Sequence, residues 1–299
     1  MFEHLLSKGG LSLDRLRTLV AVRDAGGITT AANGDAVTQS LYSRQIRELE
    51  EFFGVKLIAR KGKGIMVTAA GNRLAEVARE CLHSLEGFLL NSQQLKPRVE
   101  IGAGDSLLQW KVVPDCLDLL VHKAACDVRL HNLKTEEIVT GLRELTLDFG
   151  LVRHEAVSTP LQSQMLFRFS YALFVPEPLI ARLGSFELQP DLARIPLALL
   201  SDSSVTGVLQ NEAAPEPLNV AVSCDSYTQS AAALLTGKFG TVLPDIAAAA
   251  MPRGSIRMIQ VKGLQKLSRS IHLAWNPRML ALRPGAVKIK QVLAKLASA

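Results

Sequence analysis

The sequence predicts an α/β protein in which a winged helix-turn-helix is joined by a long helix to two α/β subdomains. Three observations support this fold class. An amphipathic stretch at residues 38–53 follows a short run of small residues. One apolar stripe then extends along residues 68–95, ahead of Pro97. From residue 99 onward, short apolar runs alternate with helical patterns, which is typical of a sheet covered by helices.

The composition fits a folded chain with a basic N-terminal part. The 299 residues are 48% hydrophobic, which is enough for two or three cores. The formal net charge is +6, and residues 1–73 hold eleven basic and seven acidic side chains. This concentration of positive charge favours an acidic partner such as nucleic acid. No signal peptide or membrane-spanning apolar run is visible, so a cytoplasmic protein without a membrane partner is expected.

The first helices are predicted from caps and spacing. Ser12 is predicted to cap a helix over residues 13–25, whose leucines face a core. A short helix of small residues is predicted within residues 26–33, and it ends at a turn at Gly34 and Asp35. Paired alanines in this short helix allow close approach of a second helix, as a helix-turn-helix requires.

The second long helix, predicted over residues 38–53, combines an apolar stripe with a polar front. Thr38 is predicted as its N-cap, and the residues predicted to face the core are Leu41, Ile46, Leu49 and Phe53. Its first turns carry Gln39, Ser40, Tyr42, Ser43 and Arg44. Such groups reach base edges when a helix enters a major groove, although a polar front also suits a helix that only faces water.

The residues after this helix predict a β-wing. Gly54 suits a helix C-cap, and two short extended runs, at 55–60 and 65–67, flank a basic tip at 61–64. A glycine-rich tip between two such runs is typical of a hairpin, and its lysines would meet phosphate. The polar front of the helix and the basic tip therefore favour the nucleic-acid interpretation.

Residues 12–72 resemble the LysR-type transcriptional regulators. The resemblance rests on residues 29–32, 37–40, 43–46, 49–50, 53–55, 57, 60 and 68–71, in fixed order. It implies a winged helix-turn-helix domain over residues 1–67 that binds double-stranded DNA in a sequence-specific way. The predicted DNA-binding residues are Thr29, Thr38, Gln39, Ser40, Tyr42, Ser43, Arg44, Arg47, Arg60, Lys61 and Lys63. Leu41 and Tyr42 stand where the family usually has small residues.

Residues 68–98 are predicted to form a linker helix, beginning at Thr68 and ending near Leu95, and a hinge at 96–98. An apolar stripe on such a helix needs a partner. An adjacent domain is one candidate, and the same helix of a second subunit is the other. The resemblance implies the second subunit, and hence a homodimer that pairs again through residues 99–299 into a homotetramer.

Residues 99–299 are predicted to form the two α/β subdomains. Strands are predicted at 99–103, 127–131, 148–153, 166–175, 195–200, 218–224, 241–243 and 269–275, and helices at 106–120, 135–145, 226–236 and 284–296. The first series implies a parallel sheet with right-handed crossovers. The pattern resembles the periplasmic-binding-protein-like effector domain of the family. Subdomain I is predicted over 99–160 and 269–299, and subdomain II over 161–268.

A small-molecule effector site is predicted where strands of these subdomains end. In open α/β sheets, ligands bind beyond the carboxyl ends of strands, at helix N-termini. This rule selects Asp105, Ser106, Leu133, Arg153, Ser201, Ser203, Ser204, Asp225 and Ser226. Arg153 would suit an anionic effector, although several of these residues are also ordinary helix caps. The alternative function is effector-independent DNA binding, with residues 99–299 serving only as an oligomerisation scaffold.

The sequence does not favour an enzyme. It has no nucleophile elbow, no P-loop and no zinc-protease motif. Its six histidines are scattered, and its four cysteines have no metal-ligand spacing, so no cofactor or metal is expected. The cysteines are predicted to be small buried hydrophobic residues, with a redox pair of Cys116 and Cys126 as the alternative.

Overall fold

The structure is a computed structural model that describes residues 2–61, 64–93, 95–183, 192–201, 204–213, 216–261, 263–283 and 285–297. It divides into an N-terminal unit, Met1–Leu95 with Ala281–Pro284, and a C-terminal unit, Lys96–Leu280 with Gly285–Ala299. Among the described residues, no helix has both the length and the apolar character needed to cross a bilayer.

The N-terminal unit contains five helices and a two-stranded hairpin within its described residues. In chain order these are α1 (Glu3–Leu6), α2 (Leu13–Asp24), α3 (Ile28–Ala31), α4 (Ala36–Phe53), β1 (Ile58–Lys61), β2 (Gly64–Val67) and α5 (Ala69–Ser92). The strands β1 and β2 pair antiparallel, with Arg60 opposite Ile65. This arrangement confirms the predicted winged helix-turn-helix followed by a long helix.

The helix caps confirm two predictions and correct a third. Ser12 caps α2 and Thr68 caps α5, as predicted. The prediction that Thr38 caps α4 is wrong, because α4 begins at Ala36 and Asp35 is its N-cap. The Asp35 carboxylate accepts the Thr38 N–H at 2.8 Å. Hydrogen bonds from the Thr38 hydroxyl and N–H lower the pKa of Asp35, and negative charge is favoured at a helix N-terminus.

The apolar stripe of α4 also differs from the prediction at one position. Leu41 is 39% exposed, whereas Tyr42 packs against the core with Ile46 and Leu49. Positions 42, 46, 49 and 53 follow helical spacing, while 41 and 46 lie about 140° apart around a helix. The outward direction of Leu41 leaves an apolar side chain on the front of α4.

Glu50, near the end of α4, holds the start of the wing. It is only 8% exposed. Its carboxylate accepts the Leu57 N–H at 2.9 Å, the Ile58 N–H at 3.2 Å and the Lys56 ammonium at 2.7 Å. Burial acts to raise the pKa of Glu50, but these three donors outweigh it and lower the pKa below its ordinary value. The charged carboxylate therefore ties β1 to α4.

We expect Glu50→Ala to lower the free energy of unfolding by about 2 kcal/mol, because each buried N–H left without an acceptor costs about 1–3 kcal/mol. Urea unfolding of both proteins at pH 7 measures the difference. Glu51→Ala, which removes an exposed carboxylate one residue away, is the matched control and should change stability little. An equal loss in both variants would contradict this role of Glu50.

The same pair of proteins should show a defined pH dependence. The pKa of Glu50 in the folded protein lies below its ordinary value of 4.5. The charged carboxylate therefore stabilises the folded state fully above pH 4.5, and this stabilisation is lost as the pH falls through the lowered pKa. The stability difference between parent and Glu50→Ala should therefore narrow in acid. A difference that stays constant down to pH 3 would show that the charge of Glu50 does not matter.

The C-terminal unit is built from ten strands and eight α-helices within its described residues. The strands are β3 (Arg98–Ala103), β4 (Asp127–Asn132), β5 (Phe149–Arg153), β6 (Gln162–Phe169), β7 (Tyr171–Pro176), β8 (Leu197–Leu200), β9 (Val220–Cys224), β10 (Thr241–Pro244), β11 (Ile256–Ile259) and β12 (Arg269–Trp275). The α-helices are α6 (Asp105–Leu107), α7 (Val113–Asp118), α8 (Thr135–Arg143), α9 (Glu177–Leu183), α10 (Ser204–Val208), α11 (Tyr227–Leu235), α12 (Pro277–Leu282) and α13 (Ala286–Ala294).

The strands form separate sheets that share one core. The largest sheet has the order β4-β3-β5-β12-β6, in which β3 is parallel to β4 and β5, while β12 is antiparallel to β5 and β6. A second sheet has the order β10-β7-β11, and β8 pairs parallel with β9. Buried Phe149 and Leu273 from the first sheet and Leu173 from the second belong to the same hydrophobic cluster.

Two predictions for this unit are corrected. The single strand predicted over 166–175 is two strands, β6 and β7, which belong to different sheets. The chain therefore passes from the first sheet to the second at Ser170. The sequence pattern instead predicts that subdomain II begins at residue 161. The helix predicted over 106–120 contains wide π-helical turns at Leu108–Val112 and Leu119–Lys123. Pro114 gives a reason for the first turn, because it lacks an N–H and its ring clashes with a carbonyl one turn earlier.

Candidate functional site

The front of α4 carries an exposed polar and basic face. Ser40, Arg44 and Arg47 are exposed, whereas Thr38, Gln39, Tyr42 and Ser43 are half-buried. The Arg44 side chain is 69% exposed, and its Nε lies 4.0 Å from the Glu48 carboxylate. A surface ion pair of this length contributes little, so the Arg44 guanidinium can turn to a ligand.

The remaining predicted DNA-binding residues lie on α3 and the wing. The Thr29 hydroxyl donates to the Gln39 side-chain oxygen at 3.5 Å, which places the Gln39 carboxamide beside α3. Arg60 is exposed on β1. Lys61 ends the same strand, and Lys63 lies outside the described residues.

Helix α2 supports α4 from behind through two polar contacts that the sequence pattern does not predict. Arg15 Nε donates to the Glu48 carboxylate at 2.5 Å, and the Thr18 hydroxyl donates to the Gln45 side chain at 2.6 Å. The partners are 33 and 27 residues apart in the chain, so no local spacing signals them. These contacts fix the rotation of α4 about its axis.

Helix α5 presents apolar side chains to solvent along one stripe. Phe88 is 75% exposed and Val77 is 63% exposed, and the stripe also includes Leu85 and Leu89. Exposed apolar groups in a continuous row on one helix indicate an interaction surface.

The C-terminal unit contains a cavity of about 720 Å³. Its walls bring together seven of the predicted effector residues, which are Asp105, Ser106, Leu133, Arg153, Ser204, Asp225 and Ser226. Ser201 is exposed and does not line this cavity, and Ser203 lies outside the described residues. A volume of this size suits a small organic molecule.

Two arginines face this cavity from neighbouring strands. Arg153 at the end of β5 is paired with Ile271 of β12. Arg269 lies two residues before Ile271, so it is a diagonal neighbour of Arg153 on the same face of the sheet. Arg269 also donates to the Ser204 hydroxyl at 3.4 Å. Two cationic groups that are diagonal neighbours on one face of a sheet favour an anion between them.

An aromatic wall lies beside the arginines. The rings of Phe169 and Tyr171 lie 5.6 Å apart, and those of Tyr171 and Tyr227 lie 5.9 Å apart. Burial, and then the neighbouring Tyr171, raise the pKa of Tyr227, and the opposing effect of Arg269 and Arg153 is smaller. The Tyr227 hydroxyl, which is hydrogen-bonded to the Tyr171 side chain, therefore remains neutral.

The cavity also contains carboxylates. Asp105, Asp225 and Glu137 line it together with Lys134, Arg153 and Arg269. One carboxylate is already engaged, because Glu137 accepts the Lys134 N–H at 2.7 Å at the start of α8. The hydrogen bond leaves the charge of Glu137 in place, so three acidic and three basic side chains line the cavity and their formal charges balance.

Three cysteines are buried as predicted, but Cys81 is exposed on α5. Burial raises the pKa of Cys116 to about 11 and also raises that of Cys126. Both are therefore thiols at neutral pH, whereas reactive cysteines have lowered pKa values. This chemistry favours the structural interpretation of the pair over redox sensing.

Comparison with models of protein families shows the family to which this chain belongs. The family model described as "Bacterial regulatory helix-turn-helix protein, lysR family" matches residues 13–72. The model described as "LysR substrate binding domain" matches residues 92–293. The chain belongs to the lysR family. This confirms the resemblance found in residues 12–72 and the fold class predicted for the whole chain.

The three lysR-family proteins compared with this chain are distant in sequence, at 30%, 19% and 13% identity. The uncharacterized HTH-type transcriptional regulator YnfL of Escherichia coli is 30% identical over 177 residues, covering 57% of each chain. The chain thus spans little more than half the length of this curated relative. A full-length OxyR variant from Pseudomonas aeruginosa has a TM-score of 0.64 at 19% identity, covering 96% of this chain and 94% of the other. Full-length LysG from Corynebacterium glutamicum, described with bound effector Arg, has a TM-score of 0.60 at 13% identity, with coverages of 96% and 98%.

Proposed function

We propose that this protein is a cytoplasmic, sequence-specific DNA-binding transcriptional regulator, and not an enzyme, whose activity is controlled by a small-molecule effector. The observation that carries the proposal is the exposed front of α4, with Ser40, Arg44 and Arg47 outward and α2 holding the helix from behind. Membership of the lysR family supports it. In this proposal residues 1–67 bind DNA, 68–98 link subunits, and 99–299 bind the effector.

DNA binding would use α4 in the major groove and the wing on the adjacent backbone. Arg44 can bond in bidentate fashion to a guanine, and Ser40, Ser43 and the Gln39 carboxamide can reach neighbouring base edges. Thr29 positions Gln39, and Thr38 helps to fix the start of α4 through Asp35. Arg47, Arg60, Lys61 and Lys63 would meet phosphates. Tyr42, which packs on the core, would support α4 rather than read bases.

Subunit pairing would use the apolar stripe of α5. Two copies of the stripe would bury Val77, Leu85, Phe88 and Leu89 against each other, which would remove the exposed apolar surface from water. A two-fold dimer presents two α4 helices to two half-sites on one face of the duplex. Pairing through residues 99–299 would then give a homotetramer.

The effector would be a small molecule with a carboxylate and an apolar or aromatic body. Arg153 and Arg269 would hold the carboxylate, and Phe169 and Tyr171 would contact the body. An effector that binds one arrangement of the tetramer more tightly shifts the population toward that arrangement. This shift would change which DNA sites are occupied.

Fluorescence anisotropy on DNA from upstream of the protein's own gene, beside a scrambled duplex, tests DNA binding. We expect tighter binding to the upstream DNA, and affinity for both duplexes that falls steeply with salt, because phosphate contacts release counterions. Absence of binding to either duplex at low salt would contradict the proposal.

Thermal unfolding with a panel of aromatic and aliphatic carboxylates tests effector binding. We expect at least one compound to raise the Tm of the parent and to lose most of this effect in Arg269→Ala, because truncation leaves the carboxylate without one cation. Arg253→Ala removes an exposed arginine outside the cavity and should keep the full shift. A shift retained in Arg269→Ala would exclude this arginine from the effector site.

A further inference from the structure

Two apolar side chains stand on the front of α4 beside its hydrogen-bonding groups. Val37 is 78% exposed and Leu41 is 39% exposed. They are four residues apart, so they lie one above the other on the same face of the helix. The apolar contacts of α4 with its own core are made by other residues, including Tyr42, Ile46 and Leu49.

Val37 and Leu41 line a shallow hollow on this face. The hollow has a volume of about 530 Å³ and is completed by Ala36, Ser40 and Arg44. The small side chain of Ala36 allows a ligand to approach the helix backbone, while Ser40 and Arg44 supply hydrogen-bonding groups at its edge. The hollow thus combines an apolar floor with polar neighbours in the first turns of α4.

We propose that Val37 and Leu41 read thymine in the operator by contact with its C5-methyl group. The methyl group of thymine is the one apolar group among the base edges of the major groove. The occupant is identified by charge complementarity as well, because Arg44 and Arg47 on the same helix are exposed and attract a polyanion. This inference rests on the proposed DNA-binding function and adds the base that the apolar residues recognise.

The polar and apolar residues of the hollow would contact different parts of the DNA. Arg44 and Ser40 would contact hydrogen-bonding base edges or a phosphate, and the two apolar residues would exclude water from one or two neighbouring thymines. Cytosine, which lacks the methyl group, would leave the hollow partly empty. Burial of one methyl group changes affinity about fourfold, so two contacts in each half-site give a measurable preference.

Replacement of thymine by 2′-deoxyuridine tests the proposal, because it removes only the C5-methyl group. The probe is a duplex selected from a random library by the parent protein, with the thymines of one half-site replaced one at a time. We expect one or two positions at which the parent loses affinity about fourfold. The Leu41→Ala variant should no longer distinguish thymine from deoxyuridine at one of these positions. The Val37→Ala variant should lose the same discrimination at that position or at the adjacent one.

Leu13→Ala, which truncates an exposed leucine of α2, is the matched control and should keep the full discrimination. Specific binding by the parent that is insensitive to every deoxyuridine, or discrimination that persists in both α4 variants, would overturn the thymine assignment while DNA binding stands. Failure of the parent to select any duplex would overturn both. If Leu41→Ala changed the mass of the oligomer in the absence of DNA, the hollow would instead be a contact between protein subunits, and the proposal would be overturned.

Discussion

Replacement of Leu85 and Phe88 on α5 by lysine is expected to separate the subunits and to weaken operator binding by about 100-fold or more, because the second half-site then no longer binds within the same complex. Both side chains are exposed in the described chain, at 47% and 75%. Lysine is a good helix former, so α5 should remain folded. Burial of two new charges against their symmetry mates would, however, oppose pairing.

The positive sign of the introduced charges separates the effect of lost pairing from any direct effect on DNA attraction. Added lysines strengthen nonspecific attraction to DNA, so weaker operator binding can be attributed to the lost pairing. Sedimentation measures the mass, and anisotropy measures the affinity. Gln162→Lys combined with Gln265→Lys adds the same two charges at exposed positions outside α5 and should keep both properties. A double variant that sediments like the parent would refute pairing through α5.

Arg44→Ala is expected to weaken specific DNA binding by about 1–3 kcal/mol, the range for loss of a good base contact. The reason is geometric, since Arg44 lies on the outward face of α4 and is held only by a 4.0 Å contact with Glu48. Arg44→Lys keeps the charge but loses the bidentate fork. It should therefore restore binding to scrambled DNA but not the preference for the operator.

Arg17→Ala provides the matched control for Arg44, because it removes an arginine that is 75% exposed on α2. It should leave the affinity for the operator nearly unchanged. The salt dependence separates two roles of Arg44, since loss of a phosphate contact reduces the slope by about one counterion. Equal affinity of Arg44→Ala and parent for the operator would exclude this side chain from the interface.

The N-terminal unit was predictable from sequence where its signals are local. Thr68 caps α5 and Ser12 caps α2 because a hydroxyl precedes each amphipathic run. The Thr38 cap is a wrong prediction because Asp35, three residues earlier, is the stronger cap and lies in the predicted turn before the helix. Hydrophobicity alone predicts Leu41 in the core, because it does not reveal that the neighbouring Tyr42 lies at the core-facing angle of the helix.

The effector cavity shows the same contrast between local and distant signals. Ser106 and Ser226 were predicted because each follows a strand and begins a helix. Arg269 was missed because it reaches the site at the start of a late antiparallel strand, which the strand-end rule for parallel sheets does not consider. Tyr227 was missed because its partner Tyr171 comes from a strand that the sequence pattern had merged with β6.

The most direct measurement for the central claim is selection of duplexes from a random DNA library by the full-length protein, followed by sequencing. Sequence reading by α4 in a two-fold dimer predicts enrichment of a symmetric motif, with half-sites separated by about one helical turn or more. It also predicts loss of that enrichment with Arg44→Ala. A selected pool with the same sequence composition as the input library, despite salt-sensitive binding, would contradict it, because the basic face of α4 would then attract DNA without reading its sequence.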